Sequence, residues 1–150
     1  MIKKKRKNRL LLGQSLVEMI VVVAIVTVSL VALVRAAVVA VRNAQFARHQ
    51  SQAIDLAREA AEWLRSEREK SFSQFVSHAG SGDGNRYCFD ELGWNKLRSC
   101  DDDELAGDIF RREVVLTKES DDLIIAEIIV SWQERGKTHS RAIETYFSKN

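Results

Sequence analysis

The chain has 150 residues, of which 45% are hydrophobic and 29% are charged, and this length allows one modest domain together with a membrane anchor. The formal net charge is +2, but six of the 23 Lys and Arg residues come before Gly13, and residues 14–150 carry a charge of −4. An excess of basic charge confined to one short run argues against nucleic-acid binding by the chain as a whole.

The basic run at residues 3–9 stands directly before a long apolar segment. Such a run is typical of a signal that keeps the N-terminus in the cytoplasm when an apolar helix follows it. Without that helix it would be typical of a nucleic-acid-binding tail. We therefore interpret residues 1–13 as a leader that sets the topology.

Residues 16–34 contain a single charged side chain, that of Glu18. A helix of this length covers about 29 Å, which is close to the hydrocarbon core of a bilayer, about 30 Å. Only a helix satisfies its own backbone in lipid, so the sequence predicts a transmembrane helix over residues 14–34. Glu18 costs on the order of 3 kcal/mol in such a helix. Its position alone does not decide whether it reaches the headgroups or waits for a cation.

Residues 9–26 read RLLLGQSLVEMIVVVAIV. This segment resembles the signal of type IV pilins and type II secretion pseudopilins. The resemblance implies that a prepilin peptidase cuts after Gly13, that Gln14 becomes the new N-terminus, and that Glu18 is the fifth mature residue. The alternatives are a plain membrane anchor and a secretory signal, although the apolar run is longer than a secretory signal requires.

The same resemblance implies roles for two residues after the cut. Glu18 would recruit each new subunit by pairing with an α-amine that exists at Gln14 only after cleavage. Gln14 would also be the site of N-methylation, and here the chain departs from the family, whose first mature residue is commonly aromatic or Met. An amine and a carboxylate attract each other far more strongly in a dry filament core than in water.

Residues 35–75 form the amphipathic half of the same predicted helix, which runs from about residue 15 to residue 72. The sequence has no Gly or Pro between residues 14 and 79 that would break it. Helical spacing predicts one apolar stripe that covers a sheet: Phe46, Ala53, Leu56, Ala57, Ala60, Trp63 and Leu64. Charged residues of alternating sign predict the opposite, solvated face: Arg58, Glu62, Arg65 and Glu69.

Residues 76–150 are predicted to form a small head. A glycine-rich loop at residues 78–85 precedes strands at residues 112–117, 123–132 and 138–147, with a hairpin turn at Gly136. One face of the second strand is apolar throughout: Ile124, Ala126, Ile128, Val130 and Trp132. The predicted fold class is α+β, a long helix packed on a small antiparallel sheet of three or four strands, and the family's pilin-like roll agrees with it.

Cys88 and Cys100 are predicted to form a disulfide, because the topology places them outside the cytoplasm and a small head gains from such a bond. Two free thiols or half of a metal site are the alternatives. The acidic run at residues 101–104, with Asp108 nearby, is interpreted as a solvated loop, and a calcium site is its alternative. We expect no metal and no cofactor.

No nucleophile, phosphate-binding or zinc motif stands in the sequence, so we expect no catalysis. The resemblance implies a structural subunit of a pilus-like filament, a minor pilin, in the bacterial inner membrane with its head outside. Its implied partners are other pilin subunits, the prepilin peptidase, the assembly platform and membrane lipid. The alternatives are a type II secretion pseudopilin, a plain single-pass anchor, and an adhesion or DNA-uptake tip subunit that would use Lys137, His139 and Arg141.

Overall fold

The structure is a computed structural model that describes the backbone of residues 10–149 and the side chains of residues 16–149. These residues divide into two compact units, one that ends at Phe46 and one that begins at Ala47. The elements, in chain order, are α1 (Leu10–Lys70), α2 (Phe72–Ser77), β1 (Asn85–Cys88), β2 (Phe110–Ser120), β3 (Leu123–Glu134) and β4 (Lys137–Ser148).

The first unit consists of the N-terminal part of α1. Its described side chains are exposed from residue 16 to residue 45, and most of them are aliphatic. The two hydroxyls in the apolar part bond back to the helix itself, Thr27 Oγ1 to the carbonyl of Val23 at 2.7 Å and Ser29 Oγ to that of Ile25 at 2.8 Å. These polar groups are therefore satisfied without water.

The helix α1 ends at Lys70, two residues before the predicted end. Ser71 has an extended backbone, with φ −163° and ψ 106°, and its side chain accepts a hydrogen bond from the amide of Gln74. Serine favours this N-cap role over the helix interior because its hydroxyl competes for backbone amides. A second short helix, α2, therefore begins where the sequence had predicted the end of one long helix.

The second unit, called the head unit below, contains a four-stranded antiparallel sheet in the order β1-β2-β3-β4. The three predicted strands are confirmed. The strands β2 and β4 extend beyond both predicted ends by one to three residues, and β3 begins at Leu123 as predicted and extends two residues beyond its predicted end. Arg135 and Gly136 join β3 to β4 with φ 54° and 72°, which is the positive-φ turn that suits a two-residue hairpin. The strand β1 was not predicted.

The core of the head unit lies between α1 and one face of the sheet. Four residues of the predicted helical stripe are 0% exposed, while Leu56 and Trp63 are half-buried. The apolar face of β3 is buried as predicted, since none of its five residues is more than 2% exposed. The fully buried stripe residues are Ala53, Ala57, Ala60 and Leu64. Three alanines let the helix approach the sheet closely, and the long helix packed on this sheet confirms the α+β class.

The opposite side of α1 in the head unit is the predicted solvated face. Arg58, Glu62, Arg65 and Glu69 are all exposed. Arg65 and Glu62 form an ion pair at 2.6 Å, and Arg58 pairs more loosely with Asp55 at 3.7 Å. Exposed pairs of this kind stabilise a helix by a few tenths of a kcal/mol each, about 0.3–0.5.

Candidate assembly surface

The first unit presents a continuous apolar surface, which we define as the exposed side chains of α1 from Leu16 to Val41. Its 17 large hydrophobic side chains are between 41% and 70% exposed. Soluble monomers rarely expose so large an apolar area, and such an area marks a membrane or protein interface. Among the described residues, α1 is the one helix long and apolar enough to cross a membrane. The apolar surface continues past residue 34, the predicted end of the transmembrane half.

Glu18 lies near the start of this surface, and its side chain is exposed. It forms no ion pair with any side chain among residues 16–149. The backbone of Gly13 and Gln14 is helical, and the side chain of Gln14 lies outside the described residues. The predicted cleavage after Gly13 and the predicted pairing of Glu18 with the amine of Gln14 stay predictions.

Cys88 and Cys100 form the predicted disulfide in the head unit, and both residues are buried. The loop that they close carries Trp94, whose indole Nε1 donates to Glu67 of α1 at 3.0 Å. His78 stacks on the same indole with ring centroids 4.1 Å apart. The disulfide loop is therefore attached to α1 and to the residue that follows α2.

Trp94 belongs to an aromatic cluster that the sequence did not reveal, because its members lie far apart in the chain. Neighbouring rings have centroids 4.1–6.4 Å apart. The cluster consists of Trp63, Phe75, His78, Tyr87, Phe89, Trp94 and Phe147. Burial in this cluster lowers the pKa of His78, and the negative charge of Glu67 partly offsets that shift. Burial raises the pKa of Tyr87, whose hydroxyl donates a hydrogen bond to the carbonyl of His78. The cluster fastens the loop to the core.

Arg112 is a buried charged residue within this core, only 3% exposed. Its Nε donates to the carbonyl of Phe89 at 2.9 Å. Its Nη1 donates to the carbonyl of Leu56 at 3.0 Å and to the Glu59 carboxylate at 2.6 Å. The guanidinium therefore joins α1, β2 and the segment after β1. Sequence reasoning placed Arg112 at the start of a strand but had no signal for its burial.

Residues 101–103 of the acidic run are exposed, as predicted for a solvated loop, whereas Glu104 is half-buried. Glu104 accepts two hydrogen bonds from Arg98 at 2.7 Å, and Lys96 lies 2.7 Å from it. These bonds, that of Arg98 first, lower the pKa of Glu104 from 4.5 to about 2. Asp101 and Asp102 pair with Arg98 and Arg111 respectively. Three of the four carboxylates therefore have a protein cation as partner, and this arrangement does not favour a calcium site.

One group of described side chains has the spacing of a metal site, namely Cys88, Cys100 and Glu104. The two sulfurs are joined in the disulfide, so they are not available as thiolate ligands.

The basic residues near the last hairpin, Lys137, His139 and Arg141, alternate along one face of β4. His139 lies opposite Trp132 and stacks on its ring, so it is part of the packed face of the sheet.

The long apolar helix and the small antiparallel sheet together are compatible with the architecture of pilins. A single apolar helix near the N-terminus is also what one membrane span requires, and many unrelated anchored proteins have one. No protein-family model, curated protein or solved structure matches the chain.

Proposed function

We propose that this chain is a structural subunit of a type IV pilus-like filament, most closely of the minor pilin class. It is made as a precursor in the bacterial inner membrane, with the leader in the cytoplasm and the head outside. Prepilin peptidase removes residues 1–13, and the mature chain enters the filament through its apolar helix. The observation that carries the proposal is Glu18, a lone carboxylate on an exposed apolar helix, five residues after Gly13.

A carboxylate in this position is costly for a protein that only needs an anchor. On insertion scales the cost is about 3 kcal/mol at mid-membrane, and less near an interface. A filament supplies the missing partner, because cleavage after Gly13 creates an α-amine four residues before Glu18. An amine and a carboxylate four residues apart can meet along one helix or between neighbouring chains. The pair would fix the axial position of each subunit relative to its neighbours in the filament.

The head supports a structural role rather than a catalytic one. Its aromatic cluster and the buried Arg112 join α1 to the sheet and to the loop beside it, and its disulfide joins β1 to the same loop. We infer that the head serves as a rigid block that contacts other subunits. Its partners in this proposal are other pilin subunits, the prepilin peptidase, the membrane assembly platform and, before assembly, lipid.

The first test is the intact mass of the chain produced together with an active prepilin peptidase. We expect the mass of residues 14–150, with or without one methyl group on Gln14. A strain with an inactive peptidase is the control and should yield the full-length chain. A full-length chain beside the active enzyme would contradict the proposal.

The second test is Glu18→Ala in the same strain. We expect normal cleavage but poor recovery in sheared filaments, because the amine of Gln14 loses its partner. Thr27→Ala is the matched control, since Thr27 is an exposed polar residue of the same helix whose hydroxyl donates to the carbonyl of Val23 one turn earlier. Equal recovery of Glu18→Ala and Thr27→Ala would show that the carboxylate plays no part in assembly.

A further inference from the structure

The apolar surface contains a second charge that the proposed function does not use. Between residues 16 and 41 the sequence has two charged residues, Glu18 and Arg35, and they are opposite in sign. Both are exposed and are flanked by exposed aliphatic side chains. Neither forms an ion pair with a side chain in the part of the chain whose side chains are described.

These two charges cannot neutralise each other within one chain. They are 17 residues apart, which is about 25 Å along a helix and beyond the reach of two side chains. Arg35 is also poorly placed to reach water. The apolar surface continues to Val41, about 9 Å beyond Arg35, and helical side chains lean back towards the N-terminus. Once the surface is covered, each charge needs a partner from elsewhere.

We propose that Arg35 of one copy pairs with Glu18 of a second copy displaced by about 25 Å along the filament axis. The inference rests on the proposed function and names a second partner for Glu18 beside the amine of Gln14. A carboxylate has two oxygens and accepts several hydrogen bonds, so an amine and a guanidinium can share it. The occupant of the apolar surface is thus another copy of the same helix, selected by opposite charge.

The offset determines the kind of assembly that this pair permits. Two copies related by a twofold axis along the membrane normal would have no axial displacement, so a pair with an offset is a head-to-tail contact. Around the helix, 17 residues at about 100° each leave Glu18 and Arg35 about 100° apart. One copy therefore presents Glu18 to one neighbour and Arg35 to another. A contact of this kind repeats from copy to copy and does not close into a dimer.

Cysteine cross-linking measures this offset directly. Val22 and Val39 lie one turn above Glu18 and Arg35, so they have the same 17-residue separation and are both exposed. In filaments of the doubly substituted chain V22C/V39C, oxidation should give a ladder of dimers, trimers and longer products on a non-reducing gel. The matched control is V22C/V28C, because Val28 lies about 20° from Val39 around the helix but about 16 Å lower. It should remain monomeric, as should V22C alone.

Three outcomes are decisive. A ladder from V22C/V39C alone supports the proposed stagger. Filaments that form normally but give no such ladder, or give equal ladders from both double variants, overturn the stagger and leave the filament proposal standing. If the unsubstituted chain forms no filaments, the proposed stagger and the filament proposal are both overturned.

Charge removal gives an independent measurement in the same filaments. Arg35→Gln should lower recovery in sheared filaments by roughly tenfold or more, because Glu18 of the neighbouring copy then loses a partner. Arg42→Gln is the control, since Arg42 is seven residues further on nearly the same side but beyond the apolar surface. It should change recovery by less than about twofold, as expected for an exposed charge. Equal effects of the two substitutions would overturn the inference.

Discussion

Arg112 illustrates how a single side chain can organise a small core. An arginine at 3% exposure is tolerated because its donors meet two backbone carbonyls and the Glu59 carboxylate, which is itself 56% exposed. The carbonyls belong to Leu56 on α1 and to Phe89 just after β1. A guanidinium holds several donors in a fixed planar fork, so one residue fixes two segments relative to β2.

Replacing Arg112 by Ala should lower the free energy of unfolding by about 2–4 kcal/mol, because buried carbonyls are left without a donor. Urea unfolding of the detergent-solubilised chain, followed by tryptophan fluorescence, measures the change. The adjacent Arg111→Ala is the control, since Arg111 pairs with a fully exposed Asp102 and should cost no more than about 1 kcal/mol. Similar losses for both variants would show that burial of Arg112 contributes nothing.

Glu104 predicts a pH dependence of stability. Its pKa is lowered from 4.5 to about 2 in the folded state. The stability that this carboxylate contributes is therefore present above pH 4.5 and is lost as the pH falls towards 2. The Glu104→Gln variant should be less stable at pH 7 and should lose less on acidification across that window. The control is Asp103→Asn, at an exposed residue outside the described ion pairs, and it should follow the unsubstituted chain at every pH.

The residues differ in how far the sequence reveals their roles. Glu18 can be recognised from the sequence because its neighbours are apolar. Ile124 and Trp132 can be predicted to be buried because apolar residues recur at every second position of their strand. Arg112 and Glu104 look like ordinary surface charges. Their environment depends on partners up to 56 residues away in the chain, such as Leu56 for Arg112, and no local pattern encodes a contact of that kind.

At the scale of elements, length decides what the sequence can predict. The strand β3 is predicted well because its 12 residues contain several repeats of the alternating apolar pattern. The strand β1 has four residues and follows a glycine-rich loop, so its signal is too short to recognise. Gly84 leads into it with φ 74°, and a Cβ there would meet Thr117 Oγ1 at 2.5 Å. The glycine that suggested only a loop is required for the close approach of β1 to β2.

The disulfide loop is the element with the clearest energetic prediction. Cys88 and Cys100 are 12 residues apart, and closing a loop of about this size stabilises the folded state by about 3 kcal/mol in the chain-entropy model. The Cys88→Ser, Cys100→Ser double variant should lose about that amount in urea unfolding. A reductant should destabilise the unsubstituted chain to a similar degree and leave the double variant unchanged. Insensitivity of the unsubstituted chain to the reductant would contradict the prediction.

At the scale of the whole molecule, the chain consists of one unit that exposes apolar surface and one that buries it. The average composition conceals this division, but the order of residues reveals it: the apolar residues of the first unit are continuous, whereas those of the head unit are periodic. The α+β class therefore follows from the sequence. The boundary near Phe46 does not, because α1 crosses it without a break in helical pattern.

The head unit should fold without the apolar surface, because its core consists of its own residues. A chain that begins at Ala47 should be soluble, should show the near-ultraviolet circular dichroism of packed tryptophans, and should unfold in one cooperative transition. The control is the same chain with Leu64→Ala, which removes a fully buried side chain and should cost about 2–5 kcal/mol. An aggregated or unstructured product would show that the head depends on residues before Ala47.

The redox state of Cys88 and Cys100 also reports which side of the membrane the head has reached. Disulfides form and persist in oxidising compartments, whereas the cytoplasm keeps thiols reduced. In the proposed topology the leader is cut on one side of the membrane and this bond closes on the other. A precursor whose thiols react with an alkylating reagent has not yet exported its head, and a precursor whose thiols are protected has done so. The order of export and cleavage can therefore be read from one pulse-labelled sample, by comparing thiol reactivity with the loss of residues 1–13.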